Sequence, residues 1–391
     1  MIAIFAPGQG AQTPGMFAPW LELPGVADQV AALSDASGLD LARLGTTADA
    51  DEIKDTAVTQ PLIVTLGVIV AGQLTLNGDA DRVVAGHSVG ELTAAAVSGA
   101  LSPTEAVAFA ARRGAEMAAA CALAPTGMCA LLGGDPDEVA AGIEAAGLTP
   151  ANRNAAGQIV AAGALDALEK LAAEPPAGAR VRPLQVAGAF HTHYMAPAEA
   201  ALQEYAAGLH PADPRPILLS NADGAAVTTG TDLMARLVAQ VTLPVRWDLC
   251  LRTCADVGVT AAIELAPAGT LTGIAKRELR GVDLVAVKKP DDIAAARTLL
   301  DSRPEYGQGE HTVDFRVVVT PAKGVFTRAA DVTEGGPVSR GAALGTIRTN
   351  RDEHTIVSPQ PGLLTEWLRD TGDIVAAGLP VARIEVGTDG A

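Results

Sequence analysis

A serine set between small residues is the first candidate for chemistry in this chain. Residues 86 to 91 read Gly-His-Ser-Val-Gly-Glu, a G-x-S-x-G string, with the apolar run Arg82-Val83-Val84-Ala85 before it and an Ala-rich, helix-favouring run from Leu92 after it. A sharp strand-to-helix turn needs small residues on both sides of its serine and leaves the Oγ exposed at a helix N-terminus. That end of a helix favours negative charge, so a developing alkoxide or oxyanion is stabilised there. The pattern predicts an acyl-serine enzyme with Ser88 as nucleophile.

A hydroxyl is a poor nucleophile until a base takes its proton, so a histidine must come from elsewhere in the chain. The stretch Gly188-Ala189-Phe190-His191-Thr192-His193-Tyr194-Met195 offers two. His191 follows a predicted strand end and a glycine, which favours it; His193 stays open as the base, and in the blander reading both are polar loop residues. His87 reads as structural, because adjacent residues on a helix start diverge. An oxyanion hole needs two donors already aimed at the tetrahedral centre. The backbone N–H of Val89 is one by the geometry of the turn, and the loop Pro7-Gly8-Gln9-Gly10 offers the second through the backbone of Gln9. That loop lacks the G-x-G-x-x-G string of a dinucleotide site. Arg113 lies 25 positions past Ser88 on a mostly apolar helix. It is either a snorkelling surface cation paired with Glu116 or a bidentate clamp on a substrate carboxylate.

The elements that must position these residues follow an α/β rhythm. A strand over 2–6 ends in the glycine loop, helical patterns fill the space to residue 83, and Ser102-Pro103-Thr104-Glu105 reads as the start of the helix that carries Arg113. From Gly127 the spacing predicts strand, helix, strand, strand, helix, strand over 128–132, 136–146, near 151, 158–162, 165–173 and 181–186, the split β-α-β-β-α-β order of a ferredoxin-like unit. Strands over 217–220, 261–264 and 284–287 and a helix over 231–240 return to the first pattern. The fold class expected is α/β, with a parallel-sheet, hydrolase-like core over 1–126 and 188–300 and a ferredoxin-like subdomain inserted over 127–187. A linker follows over 301–312, and a small all-β unit over 313–391.

Composition narrows the partners. The 391-residue chain is 49% hydrophobic, 3% aromatic and carries a formal charge of -17, which disfavours non-specific binding to nucleic acid or an anionic membrane and favours a protein or small-molecule partner. The start reaches Pro7-Gly8 too early to hold a signal-peptide core. The apolar stretch 58–76 is interrupted by Gln60, Pro61, Gly67 and Gly72; it reads as a buried helix, since a bilayer span wants about 20 predominantly apolar residues. Cys121, Cys129, Cys250 and Cys254 lack paired C-x-x-C spacing and read as reduced core cysteines of a cytoplasmic protein, with no metal site.

Six stretches taken in order carry a family resemblance: Phe5-Ala6-Pro7-Gly8-Gln9-Gly10-Ala11-Gln12, Thr59-Gln60-Pro61, Gly86-His87-Ser88-Val89-Gly90-Glu91, Arg113-Gly114, Gly188-Ala189-Phe190-His191 and Ala266-Pro267-Ala268-Gly269-Thr270-Leu271-Thr272. From Met1 to about residue 300 the chain resembles malonyl-CoA:acyl-carrier-protein transacylases. The resemblance implies Ser88 as the acylated nucleophile, His191 as its base, Gln240 at the position that orients the histidine through an amide or backbone carbonyl, and Gln9 and Val89 as the oxyanion hole. It implies Arg113 as the ligand of the malonyl carboxylate, with Gln60 and Phe190 also in the substrate site. Phe190-His191 looks like the malonyl-selective form of the loop, in which an aromatic crowds out an α-methyl branch. The reaction implied is ping-pong, with malonyl-CoA as donor and the phosphopantetheine thiol of an acyl carrier protein as acceptor, in fatty acid or polyketide synthesis. No covalently bound cofactor is implied. Carrier proteins are typically acidic, so Lys276, Arg277, Arg280, Lys288 and Lys289 are candidates for a local docking patch. The wording Ala-Pro-Ala-Gly at 266–269 departs slightly from the family's Gly-Pro-Gly.

The tail contains an internal repeat. Thr320-Pro321-Ala322-Lys323-Gly324-Val325-Phe326 matches Ser358-Pro359-Gln360-Pro361-Gly362-Leu363-Leu364, and Gly335, Val338, Gly341 and Ile347 find counterparts in Gly372, Val375, Gly378 and Ile384. Two related halves suggest a small all-β sandwich, and 313–386 resembles a biotinyl or lipoyl carrier domain. In that family a hairpin lysine carries the cofactor; here the matching position is Arg351, whose guanidinium cannot form the amide, so an unmodified domain with a protein partner is expected. Two other readings stay open: an acyl-serine hydrolase or thioesterase sharing Ser88 and His191, and a scaffold whose carrier-like tail docks a partner.

Overall fold

In the computed structural model, which describes residues 1–76, 78, 81–301, 314–349 and 351–386, eleven strands precede the tail. They are β1 (Ile2–Ala6), β2 (Arg82–Gly86), β3 (Thr126–Gly133), β4 (Thr149–Ala155), β5 (Gln158–Ala164), β6 (Ala179–Pro183), β7 (Ile217–Leu219), β8 (Ala226–Val227), β9 (Val245–Arg246), β10 (Ala261–Glu264) and β11 (Asp283–Ala286). The sheet that carries the serine has the order β11-β10-β1-β2-β7-β8. β11 through β7 pair in parallel, and β1 and β2 are buried almost throughout, as near-continuous apolar runs of a covered parallel sheet should be. β8 departs from the all-parallel expectation and runs antiparallel to β7. The turn between them is tight, with Gly224 at φ +69 and its N–H donated to the carbonyl of Ser220 at 2.8 Å, and so short a link cannot make a parallel crossover.

Two helices bring the polar side chains to this sheet. Thr56–Gln73 is apolar on every side and 78% buried, which makes it a core helix. Pro103–Cys121 starts with the capping box Ser102/Glu105 and packs across it. The crossing is close at Gly114, where a Cβ would stand 2.5 Å from the carbonyl oxygen of Thr56, and this closeness sets Arg113 beside Gln60. At the far end of the sheet, buried Glu264 closes β10 by accepting from the N–H groups of Gly269, Leu271 and Thr272 and from the Thr272 hydroxyl at 2.7–3.0 Å. The carboxylate thereby satisfies the open N-terminus of the helix Thr270–Glu278 and shapes the Ala266–Gly269 loop.

The second sheet has the order β6-β3-β5-β4-β9. Its first four members are antiparallel neighbours in the order of a split β-α-β-β-α-β unit, with helices Pro136–Ala145 and Leu165–Ala173 packed over their own cluster of Leu131, Ile143, Ile159 and Leu168. β9 comes from outside 127–187 and pairs in parallel with β4, Asn152 opposite Val245. The sheet is therefore tied to the chain that follows Gln240, a pairing of two residues too short to leave a periodicity.

The tail adds β12 (Asp314–Val319), β13 (Gly324–Arg328), β14 (Pro337–Val338), β15 (Ala343–Arg348), β16 (Glu353–Val357), β17 (Gly362–Trp367), β18 (Ile374–Val375) and β19 (Pro380–Val386). They form two four-stranded sheets, β12-β19-β17-β14 and β16-β15-β13-β18. Exchanging the two halves of the repeat turns one order into the other. Both sheets face the same apolar cluster, which includes Phe326, Leu344, Ile347, Leu364, Val381 and Ile384. Equivalent glycines close equivalent turns: Gly341 (φ +81) donates to the Ser358 carbonyl at 2.8 Å, and Gly378 (φ +77) to the Thr320 carbonyl at 2.7 Å. Of the expected linker, 302–312 lies outside the described residues.

The tail rests on the first body. The carbonyl of Gly378 accepts the N–H of Ala226 in β8 at 3.0 Å, Arg369 pairs with Asp256 at 2.8 Å, and Arg383 donates to the Val257 carbonyl at 3.1 Å. Val317 and Val319 pack against the cluster that holds Trp247 and Cys254. All four cysteines are free thiols.

Candidate active site

β2 delivers the chain to a turn that only this sequence pattern permits. Ser88 sits at φ +52, a left-handed conformation rare for a residue with a side chain. A Cβ at Gly86 would lie 2.0 Å from the carbonyl carbon of Gly90, and one at Gly90 would lie 2.2 Å from the oxygen of Ala6. The turn therefore presses against the end of β1 with no room for larger residues. Asn221, just past β7, clamps it from beneath: its Oδ1 accepts the N–H of Ser88 and its Nδ2 donates to the Gly86 carbonyl, both at 2.7 Å. Nothing in the local sequence marks Asn221, because its role follows from β7 lying beside β2.

His191 comes from the loop after β6, again with a positive φ, +61. Its Nε2 is 2.8 Å from Ser88 Oγ and its Nδ1 is 2.8 Å from the backbone carbonyl of Gln240. A carbonyl only accepts, so Nδ1 carries the proton and Nε2 offers its lone pair to the serine. Burial, and then the Arg113 charge, push the imidazole down to about 3, so it is neutral at pH 7. His193 is exposed and lies against Tyr194, ring centroids 4.2 Å apart; of the two histidines, only His191 meets the serine. His87 contacts Asn154 at 2.8 Å and the edge of Trp247, as a structural histidine would.

Arg113 is 2% exposed. It donates to Gln60 Oε1 at 2.7 Å, Gln240 Oε1 at 2.6 Å and Ser88 Oγ at 3.3 Å. The ion pair with Glu116 belongs instead to its neighbour Arg112, at 2.9 Å. Burial lowers Arg113 to about 10, opposed by the charge of Glu91, and leaves it a cation at neutral pH. Among the described residues no carboxylate pairs with it directly. Gln60 is 1% exposed, its Oε1 on Arg113 and its Nε2 3.5 Å from Met117 Sδ; it stands behind the arginine.

Gln240 is the C-cap of the helix Gly230–Ala239 and not part of it. Its side-chain Nε2 donates to the Ser88 carbonyl at 3.0 Å and to Glu91 Oε2. Glu91, in the first turn of the helix Gly90–Val97, is 5% exposed and also accepts the N–H of Asn221 at 2.7 Å. Burial pushes its carboxyl up to about 8, against the pull of the Asn221 N–H and the Arg113 and Arg236 charges. A cavity of about 320 Å³, lined in part by Glu91, Gln240, Asp223 and Arg236, adjoins this pair; Ser88 and His191 do not line it. Val89 is buried at the helix start, and the Gly8–Gly10 loop lies against the turn, a Cβ at Gly8 falling 2.5 Å from the His87 carbonyl. Gln9 reaches Thr56 Oγ1 at 3.4 Å through its side chain. Phe190 is 6% exposed within the main core.

A strained serine hydrogen-bonded to a neutral, carbonyl-oriented histidine, on a mainly parallel α/β sheet, defines a serine-dependent acyl-group enzyme. The acyl transferase domain family matches residues 4–315. The chain is 60% identical over 297 residues to the malonyl CoA-acyl carrier protein transacylase of Mycobacterium tuberculosis, covering 75% of this chain and 98% of that relative. It is similar to the crystal structure of MCAT from the same organism, with a TM-score of 0.74, 59% identity and coverage of 76% and 99%. A type II PKS acyl-carrier protein in complex with its malonyl-transacylase gives a TM-score of 0.71 at 28% identity, covering 76% of this chain and 99% of that one. The chain belongs to the malonyl CoA-acyl carrier protein transacylase family.

Proposed function

We propose that the protein transfers a malonyl group from malonyl-CoA to the phosphopantetheine thiol of an acyl carrier protein through an acyl-Ser88 intermediate. The observation that carries this reading is the meeting of three groups at one oxygen: Ser88 Oγ lies 2.8 Å from His191 Nε2 and 3.3 Å from Arg113 Nη2. His191 takes the serine proton as Oγ attacks the thioester carbonyl. The oxyanion is held by the backbone N–H groups of Val89 and Gln9. The C–S bond breaks, and the CoA sulfur leaves with the proton from His191. In the second half the carrier thiol gives its proton to His191, its sulfur attacks the acyl-serine, and Ser88 recovers the proton. Arg113 pairs with the free carboxylate of the malonyl group, Gln60 and Gln240 hold Arg113, and Phe190 crowds out an α-methyl branch. The basic residues Lys276, Arg277, Arg280, Lys288 and Lys289, all exposed, receive an acidic carrier protein.

The division proposed is an acyltransferase body over 1–126 and 188–300, a ferredoxin-like subdomain over 127–187 and a biotinyl/lipoyl-like sandwich over 313–391, in a cytoplasmic enzyme. Arg351 at the attachment position leaves the sandwich unmodified and available to a protein partner. Mass spectrometry of the intact protein after brief exposure to malonyl-CoA tests the reading: the expected result is one malonyl adduct on Ser88, discharged by a holo carrier protein. CoA release matched by free malonate, with or without carrier, would assign a hydrolase instead.

A further inference from the structure

Among the described residues no carboxylate pairs directly with the buried Arg113, and the carboxyl of Glu91 stands on the other side of the Gln240 amide. A buried guanidinium without a counter-charge is costly, and a side-chain amide can relay between the two only in one sense. Burial pushes the Glu91 carboxyl up to about 8; above that pH it is a carboxylate and only accepts, one oxygen taking the N–H of Asn221 at 2.7 Å and the other the Nε2 of Gln240. With Nε2 committed to Glu91 and to the Ser88 carbonyl at 3.0 Å, Oε1 is left facing Arg113, where it accepts at 2.6 Å.

We infer that Glu91 is the positioning residue that fixes the sense of the Gln240 amide and thereby holds Arg113 in the arrangement that selects a carboxylate-bearing acyl group. The inference rests on the reading that Arg113 receives the malonyl carboxylate. Because the Asn221 N–H is backbone, it cannot turn away, so a glutamine at 91 must keep its oxygen on Asn221 and aim its NH2 at Gln240. Gln240 must then rotate its amide, and its NH2 opposes the N–H groups of Arg113. Glu91→Gln therefore unseats an arginine it does not touch, with no change in side-chain shape.

The test is the rate at which Ser88 is acylated by malonyl-CoA and by acetyl-CoA at about pH 9, where Glu91 is ionised and His191 neutral, read by intact mass on the full-length protein, for wild type, Glu91→Gln and Arg113→Ala. For Glu91→Gln the malonyl rate is expected to fall roughly 10-fold or more while the acetyl rate stays within about threefold, a split that loss of mere fold support would not produce. An unchanged malonyl-to-acetyl ratio overturns the inference. If Arg113→Ala also leaves the ratio unchanged, the reading of Arg113 itself fails; if only Glu91→Gln leaves it unchanged, the reading stands and the role of Glu91 falls. Should Glu91→Gln not fold, Gln240→Leu is read in its place, since it takes the amide oxygen away from Arg113 and leaves Glu91 unchanged. The malonyl-to-acetyl ratio is expected to fall, and an unchanged ratio overturns the inference.

Discussion

Around Ser88 the buried groups are polar and charged, whereas beneath the tail's two sheets they are almost all apolar. Arg113, Glu91, Gln60, His191 and Gln240 are each no more than 6% exposed and hydrogen-bond to one another or to the serine turn. In the tail, Thr320 and Ser358 are the buried polar residues among the described ones, and both sit at the repeat's equivalent turns. A network of buried polar groups is sensitive to the identity of each member, because one mispaired donor costs roughly 1–3 kcal/mol and displaces the next. An apolar cluster answers to volume, and a change stays where it is made. The first region therefore has the makings of a reactive site, and the second is suited to holding a shape.

The sharpest way to break this contrast is Arg113→Ala. Removing one partner of a buried charge pair costs roughly 3–5 kcal/mol, a factor of about 10² to 10⁴, so malonylation should fall by about that factor while acetylation of Ser88 holds or rises; equal losses for both acyl groups would reduce Arg113 to a core residue. The same arginine helps to keep His191 neutral. The acid limb of Ser88 acetylation in wild type is therefore expected well below the ordinary histidine range, and in Arg113→Ala it should move to higher pH, since one cause of the lowering is removed. Coincident pH profiles would separate the two residues. The depressed value also sets a stability slope: as pH falls from 6.5 toward about 3, the unfolded chain binds a proton that the folded one refuses, so the His191 contribution is lost across that window, while that of Glu91, raised to about 8, has the opposite sign and is lost as pH rises from 4.5 toward 8.

The smallest expected effect compares two equivalent glycines of the tail. Gly341 and Gly378 share a left-handed backbone, but a Cβ at 378 would fall 1.9 Å from the Ala226 oxygen while one at 341 meets nothing within 4 Å. Valine at either position pays the backbone strain, of order 1–3 kcal/mol; the excess destabilisation of Gly378→Val over Gly341→Val, measured by urea denaturation, reports the docking of the tail. Transfer activity is expected to be unaltered in both. Equal denaturation midpoints would mean that the Ala226 contact contributes nothing.

Much of the candidate site, in the sense of which residues meet, was legible in the sequence. The serine turn, the histidine loop and the arginine each sit in a local pattern whose neighbours are constrained by sterics or burial, and the half-to-half repeat of the tail declares its symmetry in glycines. What escaped lies in contacts between distant segments. Asn221 is 133 positions from Ser88 and reaches it because two strands are neighbours in the sheet. Glu91 closes the Gly86–Glu91 string, yet the string alone gives it no role, because its burial depends on Gln240 and Asn221 folding over it. The choice between His191 and His193 turned on which of them the loop sets between Ser88 and the distant Gln240 carbonyl, and the two-residue β9 and the reversed β8 were too short for a periodicity to show.

The helix that ends at Ala239 leaves the next carbonyl outside its ladder, free to accept the Nδ1 proton of His191 at 2.8 Å and the N–H of Leu243 at 3.2 Å. Every amino acid owns that oxygen. The alignment of His191 is therefore insulated from substitution at position 240, whose side chain is engaged instead with Arg113, Glu91 and the Ser88 carbonyl, so that disturbing the arginine and disturbing the histidine become separable events in this scaffold.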